Sequence, residues 1–295
     1  MPSPSEILAQ RIQRPGLLPS LAIHDAFSAL IAERAGVEVL FIGGFGITAS
    51  LYGLPDLNFI SATDMTEAIR RITAAVNVPI IADADTGHGD LHNVQFTARS
   101  FERAGAAGLI LEDQVMPKRC GHFREKQVIP AEEMVLKIRA ARAALSDPKF
   151  TLIARTDARQ VHGLEEAIQR VKAYCKAGAN VAFIEAPESR AELEEIATSV
   201  PHPLLANLLS GGKTPILSTD QLKDLGYKFA VLPIETLMVT ARAIEDLCQA
   251  FLTTGKADAL AASAMSFEQL KALLQLDRHL GLSQRLRGPT PTGLA

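Results

Sequence analysis

The chain has 295 residues, 47% of them apolar and 21% charged, and its 30 Lys and Arg against 33 Asp and Glu give a formal net charge of −3. That length suits one barrel domain or two smaller domains with substantial cores, and the composition is that of an ordinary globular protein. The near-neutral balance gives no electrostatic case for nucleic acid or a membrane surface as a partner, and no stretch reaches the roughly 18–20 uninterrupted apolar residues of a spanning helix.

Met1-Pro2-Ser3-Pro4-Ser5-Glu6 has no basic patch followed by an apolar run, so a secretory signal is not expected. The cysteines are Cys120, Cys175 and Cys248, with no C-x-x-C pair. An odd, sparse set argues against a disulfide framework or a structural zinc site and fits a reducing cytoplasm.

Eight short, nearly all-apolar runs follow one another, at residues 20–23, 39–42, 79–82, 107–111, 150–154, 181–184, 204–206 and 229–232. Such runs suit parallel strands covered on both faces. Helical patterns lie between them at 63–76, 91–104, 130–145, 164–177, 189–200, 219–225 and 234–252. In the first, Met65, Ala68, Ile69, Ile72 and Val76 recur at helical spacing. Ala35-Gly36, Ala104-Gly105, Ala177-Gly178 and Leu225-Gly226 read as helix stops, glycine supplying the left-handed residue before the next strand.

Eight such units predict an α/β fold, a (β/α)₈ TIM barrel over residues 1–252. An open sheet with a ninth, unread strand is the competing architecture. No G-x-G-x-x-G opens a helix after a strand, so a dinucleotide fold has little support. Residues 114–129 are too many and too polar for a plain strand-to-helix turn and read as a functional loop. Residues 253–295 form a C-terminal extension: mostly small residues over 253–264, a short helix over 266–276, and a tail over 285–295 containing Gly288, Pro289, Pro291 and Gly293. Such a tail is expected to be mobile or to order only against another subunit.

In a barrel, reacting groups come from the C-terminal strand ends and the loops behind them. Run three is followed by Asp83-Ala84-Asp85, run four by Glu112-Asp113, run five by Arg155-Thr156-Asp157, run six by Glu185 and run seven by Asn207. One carboxylate at a strand end is as readily a helix cap as a functional group. Five consecutive ends on one rim, each charged or amide, are hard to explain as caps alone.

Asp83 and Asp85 are two apart, so a pleated strand would aim both the same way, beside Glu112 on the next strand. Three crowded carboxylates repel one another unless a cation joins them. Oxygen-only ligands favour Mg²⁺, or Mn²⁺, over zinc. The competing reading turns Asp83 toward a helix N-terminus. Arg155 offers a planar fork to a carboxylate, or an ion pair to Glu112 or Glu185 that only neutralises the rim; the two roles are compatible.

Within the long loop, Lys118-Arg119-Cys120-Gly121-His122 surrounds one thiol with two cations and a histidine, which favours the thiolate. Gly121 lets the backbone turn tightly. An inert loop cysteine is the bland alternative. Cys175 and Cys248 fall in helical patterns and read as core or helix-face residues. His24 follows run one and faces the same rim in this reading, and His88 sits in the glycine-rich turn after Asp85. His92, His162, His202 and His279 read as surface or packing residues.

With these residues the chain resembles the isocitrate lyase and phosphoenolpyruvate mutase superfamily, in its lyase branch. Lys118-Arg119-Cys120-Gly121-His122 looks like its signature. Gly53-Leu54-Pro55-Asp56, Asp83-Ala84-Asp85-Thr86-Gly87, Glu112-Asp113-Gln114, Ile153-Ala154-Arg155-Thr156-Asp157, Ile184-Glu185 and Ala206-Asn207-Leu208 support it over residues 5–255. The resemblance implies a barrel whose last helical region swaps onto a neighbouring subunit in a homotetramer. It implies Mg²⁺ held largely through water by Asp85, with Asp83, Glu112 and Asp56 nearby. It makes Cys120, on a gating loop with Lys118, the acid that protonates an enolate. Arg155 would bind the keto-acid carboxylate with support from Glu185 and His122, and Gly43, Gly44, Phe45, Asp56, Gly121 and Asn207 would contact the substrate.

The reaction so implied cleaves the C2–C3 bond of a small 2-hydroxy di- or tricarboxylate, giving a 2-keto acid (pyruvate or glyoxylate) and a carboxylate. Two features depart from the common pattern. Phe123 follows the Cys-Gly-His, and Gly43-Gly44-Phe45-Gly46 stands where many members carry Ser-Gly. The segment from Asn207 to Pro215 is nearer to that of 2,3-dimethylmalate lyases than to the isocitrate- or 2-methylisocitrate-specific versions. An oxaloacetate hydrolase or decarboxylase, a phosphonate-forming mutase and a non-catalytic keto-acid-binding barrel are the alternatives. The intact cysteine motif disfavours the first two.

Overall fold

The computed structural model of the chain describes residues 2–118, 126–256, 258 and 260–287. Eight strands form one closed barrel: β1 Leu18–Ile23, β2 Leu40–Ile42, β3 Ile80–Asp83, β4 Gly108–Glu112, β5 Thr151–Thr156, β6 Val181–Ile184, β7 Leu204–Asn207 and β8 Phe229–Leu232. All neighbours are parallel, and β8 returns to β1 with Leu18 opposite Phe229. The architecture is the expected (β/α)₈ barrel.

Several strands outrun their apolar runs. β3, β4, β5 and β7 continue into Asp83, Glu112, Arg155-Thr156 and Asn207, because the ladder is made by backbone groups and does not stop where the side chains turn polar. β1 begins at Leu18, two residues ahead of the apolar run, and takes in Pro19.

Two apolar layers hold the barrel. Inside it, Leu18, Phe41, Ile81, Ile153, Phe183, Leu205 and Phe229 form one cluster, which Leu8 of α1 (Pro4–Gln13) joins. Phe41 meets Phe229 edge to face at 5.8 Å. Outside it, the alternate strand residues pack on helices. α2 (Ala26–Arg34) follows β1, and α3 (Gly44–Tyr52) follows β2.

α4 (Ala62–Thr73) buries Met65, Ala68, Ile69 and Ile72, the face its spacing predicts, behind a Ser61–Asp64 capping box. α5 (Leu91–Arg103), α6 (Ala131–Ala144), α8 (Leu164–Ala177), α9 (Arg190–Ser199) and α10 (Thr219–Asp224) occupy the other expected helical stretches, and a short α7 (Ala158–His162) follows β5 directly. The sequence reading did not identify α1, α3 and α7, and marked α2 only through its Ala35-Gly36 stop. α3 is apolar on most faces and α7 has only five residues, so neither shows a helical period.

The chain divides into a compact unit Met1–Met238, which holds the barrel, and a second, Val239–Ala295. α11 (Glu235–Thr254) begins in the first and ends in the second, and none of its residues is buried. Residues expected to form one helix over 266–276 form α12 (Phe267–Leu273) and the start of α13 (Leu276–Arg287), separated at Gln275 by a left-handed φ of 53°. α13 thus makes the first part of the expected tail helical. Among the described residues no helix is long and apolar enough to cross a membrane.

Candidate active site

Parallel strands place all their C-terminal ends on one rim. There a cavity of about 90 Å³ is lined by Gly43, Gly44, Phe45, Asp56, Asp83, Glu112, Lys118, Arg155, Glu185 and Asn207, with Leu209, Pro233 and Ile234. Ten residues singled out in the sequence therefore share one chamber. Asp85 adjoins it: a Cβ built on Gly44 would lie 3.4 Å from Asp85 Oδ1 and 3.5 Å from Lys118 Nζ. Cys120, Gly121 and His122 lie outside the described residues. His24 is buried elsewhere, its Nδ1 3.4 Å from Thr236 Oγ1.

Asp83 and Asp85 converge, but not through strand pleat. β3 ends at Asp83, and Asp85 takes a left-handed φ of 48°, a region aspartate tolerates better than most residues. The turn is fixed by its own polar groups. Asp85 N–H donates to Asp83 Oδ1 at 2.9 Å, and Glu112 N–H donates to the Asp85 carbonyl at 2.9 Å. Asp83 also accepts from Gly44 N–H at 3.5 Å.

Lys118 enters these carboxylates. Its Nζ donates to both oxygens of Asp56 at 2.8 and 2.9 Å and lies 2.8 Å from Asp85 Oδ1. Burial alone would lower this ammonium's pKa; Asp85, Asp56, Asp83 and Glu112 outweigh it and hold the pKa well above the ordinary lysine value. The lysine read as a neighbour of the loop thiol is thus bound to the acidic ring.

Arg155 stands opposite. Its Nε lies 2.8 Å from Asp157 Oδ2 and 3.2 Å from Glu112 Oε2, and its Nη1 lies 3.2 Å from Glu185 Oε2. The guanidinium also lies over the Phe183 ring, 5.4 Å from its centroid. Lys126, at the end of the long loop, pairs with the same Asp157. Asn207 Nδ2 donates to Glu185 Oε2 at 3.5 Å.

Beneath the ring, Asp113 ties the strand ends together. It accepts from Thr156 Oγ1 at 2.6 Å, Asp157 N–H at 2.9 Å, Tyr174 OH at 2.8 Å and Arg170 Nη1 at 3.1 Å.

Among the described residues the ring keeps oxygens without hydrogen bonds. Among the described residues Asp85 Oδ2 and Glu112 Oε1 are buried without a hydrogen-bond partner, and Asp85 Oδ1 meets only the Lys118 ammonium, at 2.8 Å. Burial pushes the Asp85 carboxyl up to about 6, with Asp83 and Asp56 adding to the rise against Lys118. Burial likewise holds Glu112 well above the usual carboxylate range. Orphaned anionic oxygens of this kind fit a hard divalent cation. Among the described residues no three His, Cys, Asp or Glu side chains close into a metal cage. Mg²⁺ needs none, since it keeps several waters and takes one or two carboxylates.

Sequence reasoning left Asp157, Phe183, Lys126 and Pro233 out of the site. Asp157 was visible beside Arg155, Phe183 alternates with Glu185 on β6, and Pro233 follows β8 on the same rim. Lys126 carried no signal, because its burial depends on where the loop returns.

A family model described as phosphoenolpyruvate phosphomutase matches residues 8–252. The chain is 39% identical over 255 residues to a 2,3-dimethylmalate lyase of Eubacterium barkeri, covering 86% of this chain and 88% of that protein. It is 42% identical over 252 residues to a 2-methylisocitrate lyase of Aeropyrum pernix, covering 85% and 81%. A solved oxaloacetate acetylhydrolase with 3,3-difluorooxalacetate superposes with a TM-score of 0.91 at 30% identity over 98% of each chain. A phosphonopyruvate hydrolase complex with oxalate and Mg²⁺ superposes at 0.86 with 28% identity, covering 95% and 98%. The chain belongs to the phosphoenolpyruvate mutase and isocitrate lyase superfamily, and within it to the carbon–carbon lyases.

Proposed function

We propose that this barrel cleaves the C2–C3 bond of a small 2-hydroxy dicarboxylate of the 2,3-dimethylmalate type, or a 2-methylisocitrate-like tricarboxylate, to a 2-keto acid and a carboxylate. The observation that carries the reading is the acidic ring of Asp56, Asp83, Asp85 and Glu112, with buried oxygens that lack a partner among the described residues, facing Arg155 across one small chamber. Asp85, with Asp83, Glu112 and Asp56 around it, would hold Mg²⁺, which supplies Lewis-acid polarisation of substrate oxygens.

The chain's own groups do the rest. Arg155, oriented by Asp157 and Glu185, presents a fixed cation to the keto-acid carboxylate. As C2–C3 breaks, its electron pair moves onto C3 as an enolate of the departing carboxylate, and the C2 hydroxyl passes its proton to a carboxylate of the acidic ring as it becomes the keto oxygen. Cys120 returns a proton to C3, so the net change is one proton moved from oxygen to carbon. His122, with Glu185, would support Arg155 in holding the keto-acid carboxylate, and closure of the loop over the site would keep water from the carbanion.

A second reading, hydrolysis of oxaloacetate, is favoured by the close superposition on an oxaloacetate acetylhydrolase. The motif around Cys120 favours the lyase, because cleavage of a hydroxy acid demands a carbon-protonating acid. We also place a second copy of the chain on α11, which leaves Val239, Ile244 and Leu252 largely exposed, in a homotetramer. Sparse cysteines, with Cys175 and Cys248 unpaired, suit the cytoplasm.

A panel of alkyl-substituted malates, citrates and oxaloacetate, with Mg²⁺ or with chelator, tests the assignment through release of pyruvate, glyoxylate or oxalate. Keto acid formed from an alkyl malate only with metal is the expected result. Oxalate from oxaloacetate alone would move the assignment to the hydrolase.

A further inference from the structure

Lys137 stands on the buried face of α6, in line with Met134, Ile138 and Ala141, and is buried as they are. Lysine is rarely buried, because its ammonium gives up hydration there. Burial lowers its pKa below the ordinary lysine value, and Glu133 and Asp90 offset that only in part. Among the described residues its ammonium makes one hydrogen bond, to the Thr86 carbonyl at 3.1 Å. Packing asks for no charge here, since methionine would fill similar space without that cost. The use of Lys137 therefore lies in the carbonyl it holds.

That carbonyl belongs to the turn that delivers Asp85. Asp85, Gly87, His88 and Gly89 have positive φ, of 48°, 88°, 58° and 146°. For Asp85 and His88 such backbone is disfavoured, and it persists where the surroundings hold it. Glu112 N–H binds the Asp85 carbonyl, and Gly87 N–H closes back on the Ala84 carbonyl at 2.8 Å. From the helical layer, Thr97 Oγ1 of α5 donates to the Gly87 carbonyl at 3.3 Å, and Lys137 of α6 donates to Thr86. Among these ties only Lys137 brings a charged donor. Because a peptide unit is planar, turning the Thr86 oxygen away changes ψ of Thr86 and φ of Gly87 together. Thr86 is buried, so its carbonyl left without a donor would favour that flip.

We propose that Lys137 is a positioning residue for the divalent-cation site: it pins the Thr86 carbonyl and so holds Asp85 in the left-handed turn that brings its carboxylate to the acidic ring. The inference rests on the metal site of the reading above and adds to it a residue that does not line the chamber.

The test compares wild type with Lys137→Met, which keeps the bulk and removes the donor, and Lys137→Gln, which keeps a neutral donor on a shorter side chain. Binding of Mg²⁺ to the metal-free chains, without substrate, is followed by calorimetry, and that of Mn²⁺ by its paramagnetic resonance. Tm is measured in chelator. Lys137→Met should weaken metal binding about 10-fold or more, as when a group that orients a metal ligand is removed. Its Tm in chelator should hold or rise, because a buried charge has gone. Lys137→Gln should bind metal more weakly than wild type and more tightly than Lys137→Met. In turnover, the Mg²⁺ concentration giving half the maximal rate should rise while the rate at saturating Mg²⁺ stays near that of wild type, a split that loss of folded protein does not produce.

Wild-type metal affinity in a folded Lys137→Met overturns this inference and leaves the metal site standing. If Lys137→Met does not fold, Lys137→Gln decides: weaker metal binding supports the inference, and wild-type affinity overturns it. A wild-type chain that binds neither ion overturns the metal site and the inference together.

Discussion

At the residue scale, the site is a charge problem solved by few groups. Lys118 and Arg155 each answer several carboxylates, and among the described residues Asp85 and Glu112 still keep a buried oxygen without a partner. The proposed acid can be isolated from this ring. Cys120→Ser should lower turnover by about 100-fold or more while Mg²⁺-dependent keto-acid binding, followed by calorimetry, persists; unchanged turnover would remove the thiol from the mechanism. The carboxylates, Arg155 and Asn207 were legible in the sequence because each closes an apolar run. The task of Lys118 was not: its sequence neighbours are Arg119 and Cys120, and its partners Asp56 and Asp85 come from other loops.

At the scale of elements, Asp113 binds the end of β5 through Thr156 and Asp157, and α8 through Arg170 and Tyr174. It ties the loop ends of the β4–β5 edge to α8. Asp113→Ala leaves Arg170 buried against its remaining partners and strands two hydroxyl donors, a change that costs about 3–5 kcal/mol. The urea midpoint should fall accordingly, and a loss below about 1 kcal/mol would mean the network relaxes around the gap. Asp113 follows Glu112 directly in the chain. Nothing in the sequence separates their tasks, because strand alternation sends one into the chamber and the other toward α8.

For the whole molecule, two expectations follow from burial. The Cys175 thiol is pushed up to about 12 by burial, and Tyr174 and Tyr227 are also raised by it. The unfolded chain therefore releases these protons first. Stability contributed by the neutral forms is intact below the ordinary thiol value of 9.0 and declines as pH climbs toward 12. Urea midpoints at pH 8 and pH 10.5 should show that fall, with a smaller fall in Cys175→Ala; a flat profile would contradict it. The other expectation is assembly. If copies of the chain cover α11, light scattering should give a tetramer, and Leu247→Glu with Phe251→Glu, both half-exposed positions on that helix, should shift the mass toward smaller species. A monomeric wild type would refute the arrangement.

The sequence by itself determined the barrel and the rim, because eight apolar runs with glycine stops admit few architectures and parallel strands carry their polar ends to one side. It also marked the family through residues clustered at those ends. Only the tertiary structure decided how those residues are paired. The capture of Lys118 by Asp56 and the sharing of Asp157 between Arg155 and Lys126 join segments far apart in the chain. Through-space electrostatics and packing fix such pairings, and neither is written in local spacing.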